Sequence, residues 1–137
     1  MMNYLQTSFD SRFYGYVNGD ILMHSSLESI LESLSKQPLS DNHILLTGRR
    51  FNTYVSSEFR LSLRSRETMD RFIEESIIYN EQFIPVAQDY FIFTKATFTS
   101  ANIVPIVIGR NRYDNYLLTV CKLDRSCNLI DASHASS

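Results

Sequence analysis

The chain has 137 residues, with 13 Lys+Arg against 15 Asp+Glu for a formal charge of −2, and 44% of its residues are hydrophobic. A chain of this size buries about two-thirds of the surface it exposes when unfolded, so a single self-sufficient core is within reach. Near-neutral, interspersed charge offers no basic face for a phosphate backbone, which argues against nucleic acid as a partner, and no apolar run approaches the ~20 residues of a membrane span.

Residues Met1 to Thr7 have neither the cationic region nor the apolar core of a signal peptide, so the default expectation is a cytosolic protein. Phe13 to Val17 reads as a buried strand ended by the turn-forming Asn18-Gly19-Asp20. Ser25 with Glu28 three residues on predicts a capping box. Behind it Leu27, Ile30, Leu31 and Leu34 form a helical stripe that Pro38 stops. His43 to Thr47 is a second strand with Gly48-Arg49-Arg50 at its carboxyl edge. Residues 52–66 hold Ser and Arg with few apolar anchors and predict an excursion over the surface. Glu67 to Tyr79 carries Met69, Phe72, Ile73 and Ile77 on one helical face.

Asp89 to Thr94 is the strongest strand pattern, and Ile106 to Ile108 predicts another. Tyr113 to Leu123 has Tyr113, Leu117, Val120 and Cys121 in helical phase, and Asn128 to Asp131 is a last short strand. No repeat of 20–50 residues and no low-complexity tract occurs. Strands separated by helical stretches predict an α/β layer structure whose ligands lie at the carboxyl ends of the strands.

Two cysteines, Cys121 and Cys127, are too few for a disulfide framework or a four-ligand zinc site, and their expected state is as separate small hydrophobes, with a bridge that closes a short loop as the alternative. His24, His43 and His134 have no metal-binding spacing. Four polar clusters fall at strand ends. Asn18 and Asp20, two residues apart, offer oxygen ligands to a hard cation such as Mg²⁺ or Mn²⁺ carrying a diphosphate, although Asn-Gly-Asp is also ordinary turn chemistry. Arg49 and Arg50 can grip phosphate or carboxylate through charge-assisted bonds, or stand as solvated loop cations. Asp114 opens a predicted helix, where a carboxylate suits the dipole and, beside Arg110 and Arg112, can also serve as a general base.

Together these clusters resemble a family. A strand ending in Asn-x-Asp, then Gly-Arg-Arg-Phe, Asp-Tyr-Phe-Ile-Phe, Pro-x-x-Ile-Gly-Arg-x-x-Tyr-Asp-Asn-Tyr and finally Leu-Ile-Asp-Ala-Ser are similar to glycosyltransferase-like proteins of the GT-A, nucleotide-diphospho-sugar transferase fold. The resemblance runs from about Phe9 to Ser133. It implies a mixed, Rossmann-like sheet with flanking helices. It also implies a sugar moved from a nucleotide-diphosphate donor to a hydroxyl acceptor with a divalent metal, Mn²⁺ or Mg²⁺. Asp20 and Asn18 then stand at the metal motif, with Asn18 where the strict pattern has Asp. Asp114 stands at the place of the base, and Arg49, Arg50, Asp89, Tyr90, Arg110 and Asn115 line the donor or acceptor pocket. In that family nucleotide-binding βαβ units precede the metal-motif strand and a His follows the last motif. The expectation is therefore one partial domain over residues 1–137, the acceptor-side half without the nucleotide-binding half. A non-catalytic α/β binding module derived from the same fold, and a nucleotidyltransferase-like enzyme with the same metal logic, are the alternatives.

Overall fold

The computed structural model describes residues 2–38, 43–57, 65–79, 88–99, 101–104 and 113–133. In chain order these form α1 (Met2–Ser8), β1 (Phe13–Val17), α2 (Ser26–Ser35), β2 (His43–Arg49), α3 (Arg66–Tyr79), β3 (Gln88–Thr94), α4 (Tyr113–Leu123) and β4 (Cys127–Asp131). The predicted strand at Ile106 to Ile108 lies outside the described residues. Helix α1 carries no legible period, since seven residues make only two turns. It is anchored by Gln6, whose buried amide donates to the carbonyls of Lys95 and Phe98 at 3.2 and 2.9 Å.

The sheet has the order β1-β3-β2-β4. β3 is antiparallel to both β1 and β2, and β4 is parallel to β2. The α/β expectation therefore holds, as a mixed sheet with flanking helices. Alternation along the strands divides the core between two faces. On one, Leu45, Phe91, Phe93 and Tyr14 pack with Phe98 and with Leu117 and Cys121 of α4. Each such ring or aliphatic chain contributes about 1.5–3 kcal/mol of burial. Phe93 and Phe98 add an edge-to-face contact at 4.9 Å. On the other face, Leu46, Ile92 and Ala132 receive Leu27, Ile30, Leu31 and Leu34, the stripe of α2.

The start of α2 departs from the expected capping box. Ser25 has helical dihedral angles and makes no side-chain cap to its own helix. Its backbone N–H donates 3.0 Å to Asp70 of α3, and its hydroxyl hydrogen-bonds to the same carboxylate and lowers that carboxyl's pKa. Glu28, the expected partner, instead meets Arg66 of α3 at 2.5 Å. A tertiary partner has taken both ends of the local motif.

The two cysteines correct a second expectation, because Cys121 and Cys127 form a disulfide. Between them the chain turns at Asp124, where the N–H of Cys127 donates 2.9 Å to the Asp124 carbonyl, and this returns β4 alongside the last turn of α4. Such bridges persist in oxidising surroundings. The Asp124 carboxylate also fastens this turn to the start of β2, since it accepts from the Ser126 hydroxyl at 2.6 Å and pairs with Nδ1 of His43.

Two outcomes follow for stability. The bridge spans a sequence separation of 6, for which loop-closure entropy gives about 2 kcal/mol. Urea unfolding with and without reductant should differ by that amount, and identical midpoints would show that the bridge contributes nothing. The Asp124 carboxyl is held down to about 2, chiefly by the Ser126 hydroxyl and then by His43. Its folded value lies below the unfolded value of about 3.9, so its stabilising contribution is present above that pH and is lost as pH falls toward about 2. Asp124→Asn should flatten the acid decline of stability in that window, followed by circular dichroism.

Candidate functional site

Because β3 alone opposes the others, the carboxyl ends of β1, β2 and β4 meet the amino end of β3 at one edge of the sheet. Open α/β sheets form their ligand crevices at such strand ends. A cavity of about 370 Å³ lies there, within the roughly 300–1,000 Å³ of small-molecule sites. Asp20, Arg49, Arg50 and Tyr90, all singled out from the sequence, line it together with Ser133.

Asp89 holds the edge together and is itself only 8% exposed. Its Oδ1 accepts from Nδ2 of Asn18 at 2.7 Å, and its Oδ2 pairs with Nη1 of Arg50 at 2.7 Å. The Asn18 N–H also donates to the Asp89 carbonyl at 2.9 Å, and the Asn18 amide oxygen accepts from the Tyr16 hydroxyl at 3.0 Å. Both oxygens of Asp89 and both ends of the Asn18 amide are thus engaged in positioning strand ends.

The ladder register supplies the reason for this geometry. Thr47 faces Phe91 while Arg49 faces Gln88, so β3 advances three residues where β2 advances two. A bulge of this kind bends a strand and re-aims its side chains. It leaves Tyr90 packed on the α2 face, where the cavity lies. Gly48 makes room for that ring: a Cβ there would stand 2.2 Å from the Tyr90 hydroxyl and 3.0 Å from the backbone of Ala132 and Ser133. Burial, then the nearby charge of Asp131, push the Tyr90 hydroxyl up to about 12. At neutral pH it is a hydrogen-bond donor and not a base.

Arg49 differs from its neighbour. Its N–H is fixed by the Ser133 hydroxyl at 2.8 Å, but among the described residues no carboxylate pairs with its guanidinium. Asp20, exposed at the cavity rim, likewise has no side-chain partner among the described residues. A cation and a carboxylate therefore border one cavity, neither of them held by a charged side chain among the described residues. Mg²⁺ or Mn²⁺ carried on substrate phosphates needs only one or two protein carboxylates, so Asp20 fits that task while the Asn18 amide is used elsewhere. Among the described residues no three His, Cys, Asp or Glu side chains converge as a metal-binding group.

The remaining expected residues are placed apart. Asp114 and Asn115 open α4, which covers the other face of the sheet through Leu117 and Cys121. The Tyr113 ring meets Tyr16 at 5.7 Å, so this helix begins at the same end of the sheet, across it from the cavity. Arg110 and His134 lie outside the described residues. In turn the structure adds residues that the sequence did not mark. His24 lines the cavity with Nδ1 accepting from the Ser26 N–H at 3.0 Å, which leaves the ring proton on Nε2, facing Glu74 at 3.3 Å. Helix α3 supplies a wall through Phe72, Ile73 and Ile77. The apolar period revealed that face but not what it would face. Thr53 and Val55, from the segment expected to cross the surface, line the cavity as well.

Asp89 and Arg49 should respond oppositely to substitution. Asp89→Ala removes the acceptor shared by Asn18 and Arg50 and should cost about 3 kcal/mol of stability. Arg49→Ala should change stability by less than about 0.5 kcal/mol. Chemical denaturation of both variants checks the contrast, and equal losses would refute it.

The chain matches no protein-family model, no curated protein sequence and no solved structure.

Proposed function

We propose that the chain carries a sugar-transfer site similar to that of GT-A glycosyltransferases, acting between a nucleotide-diphosphate sugar and a hydroxyl acceptor. The observation that carries this reading is the placement of Asp20 and Arg49 on one cavity at the carboxyl ends of the strands. The mixed sheet with helices on both faces is compatible with it.

In this reading Arg49 grips a donor phosphate through charge-assisted hydrogen bonds. Tyr90, kept protonated by its burial, donates to a sugar oxygen. Asp20 holds the divalent ion, which when bound neutralises charge on the leaving diphosphate. Arg50 and Asp89 keep the floor of the site rigid. Asp114, at the start of α4 across the sheet from this cavity, is the base only for an acceptor that reaches round that end of the sheet.

A second reading is a non-catalytic binding module of the same architecture. The position of Asp114 on the helix that covers the opposite face favours it.

Calorimetric titration of UDP and GDP, with and without Mn²⁺, tests the first reading. Metal-dependent binding that Asp20→Ala and Arg49→Ala each weaken at least tenfold is the expected result, and no binding with or without metal would overturn it. Asp114→Asn should leave donor binding unchanged and abolish transfer of the sugar. Donor binding without any transfer by the native chain would favour the binding module.

A further inference from the structure

We infer that the same cavity takes a single-chain amphiphile, with an anionic head group at Arg49 and an apolar chain along the wall formed by α2 and α3. The inference rests on the proposed phosphate-gripping role of Arg49 but not on sugar transfer.

Helix α3 forms one wall of the cavity. Its polar edge is fastened to the chain around α2 by Arg66 to Glu28 at 2.5 Å, Asp70 to the Ser25 N–H at 3.0 Å and Glu74 to His24 at 3.3 Å. Near its other end the Ser76 hydroxyl meets that of Thr53 at 3.3 Å. These contacts hold the helix in place by its polar groups. Among the described residues, its apolar Ile73 and Ile77 belong to neither core cluster and line the cavity instead, only half-buried, with Phe72 beside them. Leu22 and Leu27 complete the wall. An amphipathic helix gains most of its stability by burying its apolar face, and here, among the described residues, Ile73 and Ile77 border the cavity.

Charge decides which occupant suits the space. Among the described residues, cavity-lining charge is confined to the strand ends and the loop after β1, where Asp20, His24, Arg49 and Arg50 lie, and the part of the wall given by α3 carries none. Arg50 is already paired with Asp89, which among the described residues leaves the Arg49 guanidinium as the counter-charge for an entering anion. A ligand that satisfies both surfaces has a phosphate or similar head and a hydrocarbon body. A purely polar ligand would leave the α3 wall wet, and a neutral hydrocarbon would leave Arg49 without its anion.

Inorganic phosphate and butyl, hexyl and octyl phosphate, all below their micelle concentrations, serve as probes in calorimetry on the whole chain. Affinity should rise roughly fourfold for each methylene that enters the cavity. Arg49→Ala should weaken every alkyl phosphate by a similar factor, and Ile73→Glu should flatten the chain-length series. Ile77→Gln provides the same readout with a milder change, and the native series needs no variant at all. Equal affinity for butyl and octyl phosphate in the native chain would overturn the inference, as would a length dependence that survives both wall variants. UDP and GDP run in parallel separate the two proposals. Nucleotide binding without a chain-length gain refutes only the amphiphile, and a chain-length gain without nucleotide binding supports it while refuting the nucleotide donor.

Discussion

The carboxylate of Asp89 is the constraint on which the functional edge of this sheet depends. A buried carboxylate must be paired and hydrogen-bonded to be tolerated, and Asp89 meets that requirement with Asn18 from the end of β1 and Arg50 from the end of β2. Three strand ends are fastened by one side chain. Adjacent strand residues point to opposite faces, so Tyr90 packs on the α2 face with Ile92 while Asp89, one residue before it, reaches Asn18 and Arg50. Once Asn18 and Arg50 are committed, Asp20 and Arg49 are what remains at the edge for a ligand.

Around that edge the two faces of the sheet have different tasks. The face under α4 is filled by Leu45, Phe91, Phe93 and Phe98 and closed by the α4–β4 turn, with its disulfide and the Asp124 clasp. That side is packed and cross-braced. Among the described residues, the face under α2 is closed only in part, because Leu27 to Leu34 cover Leu46 and Ile92 while α3 is joined to the chain around α2 by polar contacts. Gly48 reinforces the difference, since the absence of a Cβ lets the Tyr90 hydroxyl lie against the strand at the floor of the cavity. A sheet end beneath a helix held by its polar side borders the cavity.

The elements themselves were legible wherever a period ran long enough to average out local preference. The helices over 26–35, 66–79 and 113–123 and the strands over 13–17, 43–49, 88–94 and 127–131 all correspond to apolar patterns in the chain. Local motifs were less reliable. Ser25 and Glu28 have the spacing of a capping box, yet Asp70 and Arg66 offer charged partners that outcompete the neutral cap. Cys121 and Cys127 read as separate hydrophobes because their spacing alone does not say that the chain reverses between them. Helix α1 escaped notice because what anchors it is Gln6 reaching backbone carbonyls some ninety residues away, not a period of its own.

The sequence by itself determined the alternation of strand and helix and that polar clusters fall at strand ends, because hydrophobic periodicity and turn chemistry act over a few residues. Only the tertiary structure decided which polar residues are spent on the fold and which border the cavity. Arg49 and Arg50 are adjacent in the chain and indistinguishable by composition, as are the oxygen-bearing Asn18 and Asp20. Their difference comes from Asp89, about forty residues from one pair and seventy from the other. Register, strand order and the bulge bring that carboxylate to them, and those are properties of long-range pairing that no local pattern encodes.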